Sequence, residues 1–215
     1  MKNSRLALFA LCLLIAPPAS ARSDLCEVVI ADASRATGVP ASVLMAITLT
    51  ETGRMQGGRL RPWPWAAQAG GTGHWFATRA EVLDFARRLL AQGRTSFDLG
   101  CFQINWRWHG GAFTGPEDLL DPALAAGYAA RLLADLHAEL GTWEAAAGAY
   151  HSRTPERAAI YRARFARILA ALDTTPPAPV ATAGAPFPLL TGSSAGASLV
   201  PVALPRARPL FERRP

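Results

Sequence analysis

The sequence predicts a mainly α-helical protein, and three observations lead to that prediction. Apolar side chains recur at helical spacing through most of residues 22–172. Capping residues mark the ends of the periodic segments: Gly38 closes one helix, and Thr78 with Glu81 opens another. Strand patterns are nearly absent, and the Gly-, Pro- and Trp-rich segment 54–76 predicts an elaborate loop or a small hairpin.

Residues 1–21 have the features of a secretory signal peptide. Two cations precede an apolar run at 6–16, and small residues at 19–21 form a cleavage site. The apolar run is too short to cross a membrane. We therefore expect cleavage after Ala21, export, and no transmembrane anchor in the mature chain.

Two helices are predicted between the signal peptide and residue 54. The first spans residues 24–37 and ends at Gly38, with apolar side chains at helical spacing at Leu25, Val28, Val29 and Ala33. Pro40 then begins the second helix as its first residue, since proline is favoured at that position. That second helix runs to Gly53.

Four further helices are predicted in the second half of the domain. They begin at the Thr78–Glu81 capping box, at Pro122, at the cap Thr142 and at residue 155. We expect the last of them to end near residue 172 and to place four apolar side chains inward: Ile160, Phe165, Ile168 and Leu172.

The composition changes at Asp173. Residues 173–215 hold nine of the 17 prolines and show no helical or strand period, which predicts a flexible, partly polyproline tail. Two short motifs in it, LVPVALP and RARPLFERRP, suit docking to a partner, whereas a solvated tail without a partner is the alternative. The predicted organisation is a signal peptide at 1–21, a folded domain at 22–172 and a tail at 173–215.

The charge distribution argues against nucleic-acid binding. The formal net charge of +6 comes from 22 Lys and Arg against 16 Asp and Glu, without a dense basic stripe. The four histidines show no spacing typical of a metal site. We therefore expect no nucleic-acid partner, no metal and no cofactor.

Two cysteines remain after the signal peptide is removed, because Cys12 lies within it. Cys26 and Cys101 then form an even pair in an exported chain, where disulfides persist. Two buried thiols are the alternative.

Glu51 is the most informative residue for chemistry. Ile47 and Leu44 precede it by four and seven positions, so Glu51 lies on an apolar stripe of its helix. Loss of solvation there, at a helix C-terminus that disfavours an anion, would raise the carboxyl pKa and suit general acid chemistry. A solvated Glu at a fraying helix end is the alternative, and spacing alone leaves it open.

Two other groups carry polar or aromatic side chains suited to sugars. Gly100 permits close backbone approach, and Gln103 and Asn105 offer amides for sugar hydroxyls; a helix start with polar caps is the alternative. Tyr150 either orients a carboxyl or packs in the core. Five tryptophans lie between residues 63 and 108; such rings stack on sugars, but we expect at least two of them to be structural.

Three motifs, in this order, resemble the soluble lytic transglycosylase family of lysozyme-like enzymes. They are T-E-T-G at 50–53, G-C-F-Q-I-N at 100–105 and A-Y-H at 149–151. The resemblance covers residues 24–172 and implies a lysozyme-like α+β fold with Glu51 as the sole catalytic acid and base. It also implies that Tyr150 bonds near this carboxyl. The remaining residues implied to support the site or bind glycan are Thr52, Gly100, Gln103, Asn105, Trp106 and His151.

The chain departs from the family pattern at four motif positions. Thr52 replaces Ser, Cys101 and Phe102 replace Leu and Met, and His151 replaces Asn. The interval between Glu51 and Gln103 also exceeds that of the compact members. These departures concern the details of the glycan subsites more than the reaction.

The resemblance implies a periplasmic enzyme of a Gram-negative cell that cleaves peptidoglycan. It would break the β-1,4 bond between N-acetylmuramic acid and N-acetylglucosamine without water, leaving 1,6-anhydromuramoyl ends. Two alternatives remain: a lysozyme-type muramidase with Asp98 as second carboxylate, and a peptidoglycan-binding scaffold that acts through its tail.

One further similarity concerns the partner. The P-W-P-W segment at 62–65 and the Y-H-S-x-T-P segment at 150–155 resemble an alphaproteobacterial branch of the family. Some members of that branch serve flagellar assembly or secretion machines. We therefore expect local wall opening for such a machine, and binding of a flagellar rod or secretion-system protein through residues 173–215.

Overall fold

A computed structural model describes residues 20–174 of the chain. The signal peptide and the tail predicted from the sequence lie, apart from their inner ends, outside the described residues. Within residues 20–174, none of the helices combines the length and the apolar character that a membrane crossing requires.

The described part of the chain is mainly helical, as predicted. Nine α-helices are present in it: α1 Ser20–Val28, α2 Ile30–Thr37, α3 Ala41–Thr52, α4 Arg79–Ala91, α5 Trp106–His109, α6 Pro116–Leu119, α7 Pro122–Leu140, α8 Trp143–His151 and α9 Pro155–Thr174. Six short strands accompany them: β1 Arg54–Gln56, β2 Arg59–Arg61, β3 Ala66–Ala69, β4 Thr72–Trp75, β5 Phe97–Leu99 and β6 Ile104–Asn105.

The first predicted helix is two helices with a break at Val29. Cys26, Ile30 and Ala33 form the buried face, whereas Val28, which the helical spacing groups with Leu25 and Val29, is 65 % exposed. The disulfide at Cys26 explains this, because it holds that side chain in the core and thereby sets the rotation of α1. Pro40 precedes the next helix as its N-cap rather than serving as its first residue.

The last helix also differs from its predicted face. Ile160 is 75 % exposed, whereas Tyr161 and Phe165 are buried and Ile168 and Leu172 pack against the core. Positions 161, 165, 168 and 172 follow helical spacing, so the inward face begins one residue later than expected. Tyr161 takes the inward position because its hydroxyl is paired with Glu51.

The segment 54–76 forms two hairpins, where the sequence predicted an elaborate loop or one small hairpin. Gly57–Gly58 and Gly70–Gly71 make the turns, and all four glycines have positive φ, as a type I′ turn requires. The second hairpin joins a four-stranded antiparallel sheet in the order β4-β3-β5-β6. Strands β5 and β6 were not predicted, because two or three residues are too few to show an alternating pattern.

Helix α3 lies at the centre of the core, where it packs against α2 and α9. Most of its side chains from Val43 to Thr52 are buried, on all sides of the helix. Its buried threonines satisfy their hydroxyls within the helix: Thr48 donates to the carbonyl oxygen of Met45, and Thr50 to that of Ala46. The core helix therefore carries polar side chains without leaving them unpaired.

The predicted disulfide is confirmed. Cys26 of α1 is bonded to Cys101, which lies between β5 and β6, and both residues are buried. The bond spans a sequence separation of 75 and joins Cα atoms 5.7 Å apart. It ties the N-terminal helix to the segment that contains Gly100, Gln103 and Asn105.

Removing this disulfide should destabilise the domain. Because it closes a long loop, the chain-entropy model gives about 4 kcal/mol for its contribution to the free energy of unfolding. Chemical denaturation of the Cys26→Ser/Cys101→Ser variant should show a loss of this order. A thiol assay on denatured, unreduced mature protein should find no free thiol, and two free thiols would contradict the assignment.

Candidate active site

Glu51 lies in the last turn of α3, where the helix leaves the core. Gly53 follows it, and a Cβ at that position would lie 2.2 Å from the carbonyl oxygen of Leu49. Only glycine therefore allows the chain to turn this closely after the helix. The result is a carboxyl, partly buried, at the inner edge of an open cleft.

The cleft has a volume of about 920 Å³ and is bounded by α3, the sheet, α8 and α9. It brings together six side chains that the sequence singled out: Glu51, Asp98, Gln103, Asn105, Tyr150 and His151. These residues are up to 100 positions apart in the sequence, so their convergence is a property of the fold.

Burial raises the pKa of Glu51 to about 8. That value is the net result of several effects: the hydrogen bond from Tyr161 and the charge of Arg164 lower the pKa, whereas the negative charge of Asp98 raises it. Loss of solvation is the largest of these effects, because it disfavours the charged form. At neutral pH the Glu51 carboxyl therefore carries a proton.

Two tyrosines approach this carboxyl, and they have different partners. The Tyr161 hydroxyl donates a 2.7 Å hydrogen bond to Oε1 of Glu51. The Tyr150 hydroxyl donates instead to the carbonyl oxygen of Phe102, also at 2.7 Å. Tyr150 thus lies near the carboxyl without bonding to it, and holds the segment between β5 and β6 in place.

The sequence reasoning missed Tyr161. The sequence did contain a signal: Tyr161 precedes Phe165 by four positions and so shares its inward helical face. A tyrosine on such a face needs a polar partner for its hydroxyl. His151 stacks on the Tyr161 ring at 4.6 Å with the planes 10° apart. Burial and the charge of Arg157 lower the pKa of His151, which favours its neutral form.

Asp98 supplies a second carboxyl to the cleft. Burial raises its pKa to about 6, although the hydrogen bond from the Nδ2 of Asn105, at 2.6 Å, opposes the shift. The Oδ1 of Asn105 accepts from the backbone N–H of Trp108 at the start of α5. Asn105 therefore caps a helix, as the alternative expectation held, and also positions Asp98.

Gln103 has an unusual backbone conformation, with φ of +45°. Residues other than glycine rarely adopt this region, and such positions are concentrated at functional sites. Its Nε2 donates to the carbonyl oxygens of Gly100 and Ala66 at 2.9 and 3.2 Å. The amide is thereby held rigidly at the cleft surface.

Three residues expected to support or bind glycan have structural roles outside the cleft lining. Thr52 is buried and accepts a hydrogen bond from the backbone N–H of Trp63. Gly100 has φ of +77°, and a Cβ there would lie 2.4 Å from the carbonyl oxygen of Leu119. Trp106 stacks on the buried ring of Phe97 and borders a smaller, separate hollow. Thr52, Gly100 and Trp106 therefore help to hold the strands and α3 together.

The other tryptophans divide into two groups. Trp63 and Trp65 are buried in the core, which confirms that at least two of the five are structural. Trp75 and Trp108 line the cleft and are 51 % and 72 % exposed. The guanidinium of Arg107 lies over the Trp108 ring, 5.0 Å from its centre. Two largely exposed aromatic rings therefore line the cleft, and Arg107 covers one face of the Trp108 ring.

Comparisons with protein-family models, with curated proteins and with solved structures find no match. The case for a function therefore depends on the residues of the cleft. Within residues 20–174, no group of three or more His, Cys, Asp or Glu side chains is placed to hold a metal ion.

Replacing Tyr161 by Phe should raise the pKa of Glu51 above about 8. The hydroxyl donates to the carboxylate and stabilises its charged form, so removing it favours the protonated form. Carboxyl-carbon NMR titration of isotopically labelled protein would measure the shift. Tyr150→Phe is the matched control, since its hydroxyl bonds to Phe102; an equal shift in both variants would contradict this assignment.

Glu51→Gln should stabilise the fold at neutral pH. The unfolded Glu51 ionises near 4.5 but the folded one only near 8, so the wild-type free energy of unfolding falls as pH rises between these values. A neutral Gln lacks that loss, so the variant should be more stable by roughly 3 kcal/mol at pH 7. Denaturation at pH 4 and pH 7 should show the advantage at pH 7 alone.

Proposed function

We propose that this protein is a peptidoglycan lytic transglycosylase with Glu51 as its catalytic acid and base. One observation supports this most directly: the Glu51 carboxyl is protonated at neutral pH and lines an open cleft of about 920 Å³. General acid catalysis needs a donor whose pKa lies near the working pH. The order of the three sequence motifs supports the substrate class, and the lysozyme-like fold is part of the proposal.

In the first step, Glu51 donates its proton to the oxygen between N-acetylmuramic acid and N-acetylglucosamine. The glycosidic bond breaks, and the substrate's own N-acetyl group supports the positive charge that develops at the sugar carbon. Glu51 is left as a carboxylate. The Tyr161 hydroxyl, donating to Oε1, stabilises that charged form.

In the second step, the Glu51 carboxylate removes the proton from the C6 hydroxyl of the muramoyl residue. The freed oxygen attacks the sugar carbon and closes the 1,6-anhydro ring, which returns the proton to Glu51. The carboxyl thus alternates between acid and base, and a pKa near 8 serves both roles close to neutral pH.

The other residues of the cleft suit a glycan. Trp75 and Trp108 present exposed rings that can stack on sugar faces, and Gln103 presents a rigidly held amide. Because the pKa values of Glu51 and Asp98 are raised, few carboxyl groups in the cleft are ionised near pH 6. The cleft therefore repels an anionic polymer less than two ionised carboxylates would.

A lysozyme-type muramidase is the second candidate, and Asp98 is the observation in its favour. Its carboxyl lines the same cleft, and its charge acts on Glu51. In that mechanism ionised Asp98 acts as nucleophile or as the base that activates water. Asp98 also has an alternative, structural role: its carboxyl accepts a short hydrogen bond from Asn105, and this bond links strands β5 and β6.

The proposed location is the periplasm. A disulfide persists in such an oxidising compartment, and the signal peptide predicted at 1–21 would direct export there.

We further propose that the enzyme opens the wall locally for an envelope-spanning machine, with residues 173–215 as the docking segment. Purified protein with and without 173–215 should digest isolated sacculi at similar rates, and pulldown from envelope extracts should lose a partner on truncation.

Glu51→Gln should abolish digestion of purified sacculi, because the amide has no proton to give and does not become a base. We expect a loss of at least a thousandfold, of the size of removing an acid–base group. The variant must keep its fold, which circular dichroism and its raised stability would establish. Digestion at the wild-type rate would contradict the assignment of Glu51.

Asp98→Asn should separate the two enzyme mechanisms. The oxygen of the new amide can still accept the hydrogen bond from Asn105. A transglycosylase should therefore keep its activity within about tenfold. A muramidase would instead lose its second carboxylate. Mass spectrometry of the products supplies the independent measurement. Anhydro ends are lighter by one water than hydrolysed ends, and hydrolysed ends from the wild type would favour the muramidase.

A further inference from the structure

The wall that α9 contributes to the cleft has a composition that glycan binding alone does not explain. Arg157, Ile160, Tyr161 and Arg164 all line the cleft from this helix. Their spacing of three, four and seven residues places them on one helical face. Tyr161 is occupied by its bond to Glu51, so two arginines and an isoleucine remain available to a ligand.

Arg157 and Arg164 are both exposed on this wall. Within residues 20–174, neither Arg157 nor Arg164 takes part in an ion pair or a side-chain hydrogen bond, whereas Arg61 and Arg153 are paired with acidic residues. The charge of Arg164 acts on Glu51, but that carboxyl is neutral at pH 7. The wall therefore carries two positive charges that form no ion pair within residues 20–174.

Ile160 lies between these charges and is 75 % exposed. A large aliphatic side chain exposed to this extent in a cleft wall offers an apolar contact to whatever binds there. A purely sugar ligand has little use for it, since sugars stack on flat aromatic rings. Two cations that flank an aliphatic side chain instead match a peptide that carries carboxylates and methyl groups.

The dimensions of the wall also match a short peptide. Positions 157 and 164 are seven residues apart on a helix, or about 10 Å along its axis. An extended peptide covers that distance in about three residues. Because Tyr161 lies between the two arginines and touches Glu51, such a peptide would lie directly beside the reacting carboxyl.

We propose that Arg157, Ile160 and Arg164 form a subsite for the acidic peptide attached to the muramoyl residue at the cleavage point. This inference rests on the proposed function and specifies its substrate: strands that carry peptides with free carboxylates are preferred over strands whose peptides are uncharged. The arginines bind the carboxylates, and Ile160 contacts the aliphatic side chains between them.

The test compares one substrate in two charge states. Peptide-bearing glycan strands are used as isolated or after conversion of their peptide carboxylates to carboxamides, and kcat/KM is measured for each. Wild-type enzyme should prefer the native strands by about tenfold, the size expected for two solvent-accessible charge-assisted contacts. The Arg157→Gln/Arg164→Gln variant should lose that preference and process both strands alike.

The ratio of the two kcat/KM values is the decisive quantity. Arg164 also lowers the pKa of Glu51, so its removal changes catalysis, but it does so equally for both strands. Arg157→Gln, which leaves that effect in place, should by itself lose part of the preference. Arg167→Gln is the matched control, because Arg167 is exposed on the same helix, donates to the Ala163 carbonyl oxygen and does not line the cleft; it should keep the wild-type ratio.

The possible failures are distinguishable. Equal turnover of both strands by wild type, or an unchanged ratio in the double variant, overturns the peptide subsite and leaves the transglycosylase intact. Absence of anhydro products from either strand overturns the proposed reaction instead. In that case, binding of Glu51→Gln protein to native and amidated strands, with and without the two arginine substitutions, still decides the subsite.

Discussion

The carboxyl of Glu51 at the end of the core helix α3 is the feature on which the site depends. Burying an ionisable group opposes folding above its ordinary pKa, so the surrounding structure must compensate for that cost. Here the group stays protonated and shares a hydrogen bond with Tyr161. The same desolvation that weakens the fold is what brings the pKa of Glu51 close to neutral pH.

The rest of the domain places the cleft around that carboxyl. The disulfide from Cys26 holds the segment after β5, and Tyr150 bonds to Phe102 in the same segment. Thr52 links the end of α3 to the backbone of Trp63, before the second hairpin. Thr52 and Tyr150, which the sequence suggested as residues of the glycan site, therefore hold α3 and the sheet in position.

Prediction from sequence succeeded where a signal was local and strong. The capping box at Thr78 and the left-handed Gly38 mark helix ends that the structure has. It was incomplete or wrong where a long-range contact set the orientation of an element. Val28 points outward because the disulfide orients α1, and Ile160 lies in the cleft because Tyr161 pairs with Glu51.

The sequence by itself determined the mainly helical fold, the pair of cysteines and the position of Glu51 on an apolar stripe of its helix. Helical periodicity, caps and the placement of a carboxyl on an apolar stripe are properties of neighbouring residues, and they are readable without a fold. Only the tertiary structure decided which tyrosine pairs with Glu51, which tryptophans face the cleft and that Arg157 and Arg164 line it. These contacts join elements up to 110 positions apart, and their geometry depends on how the helices pack against the sheet.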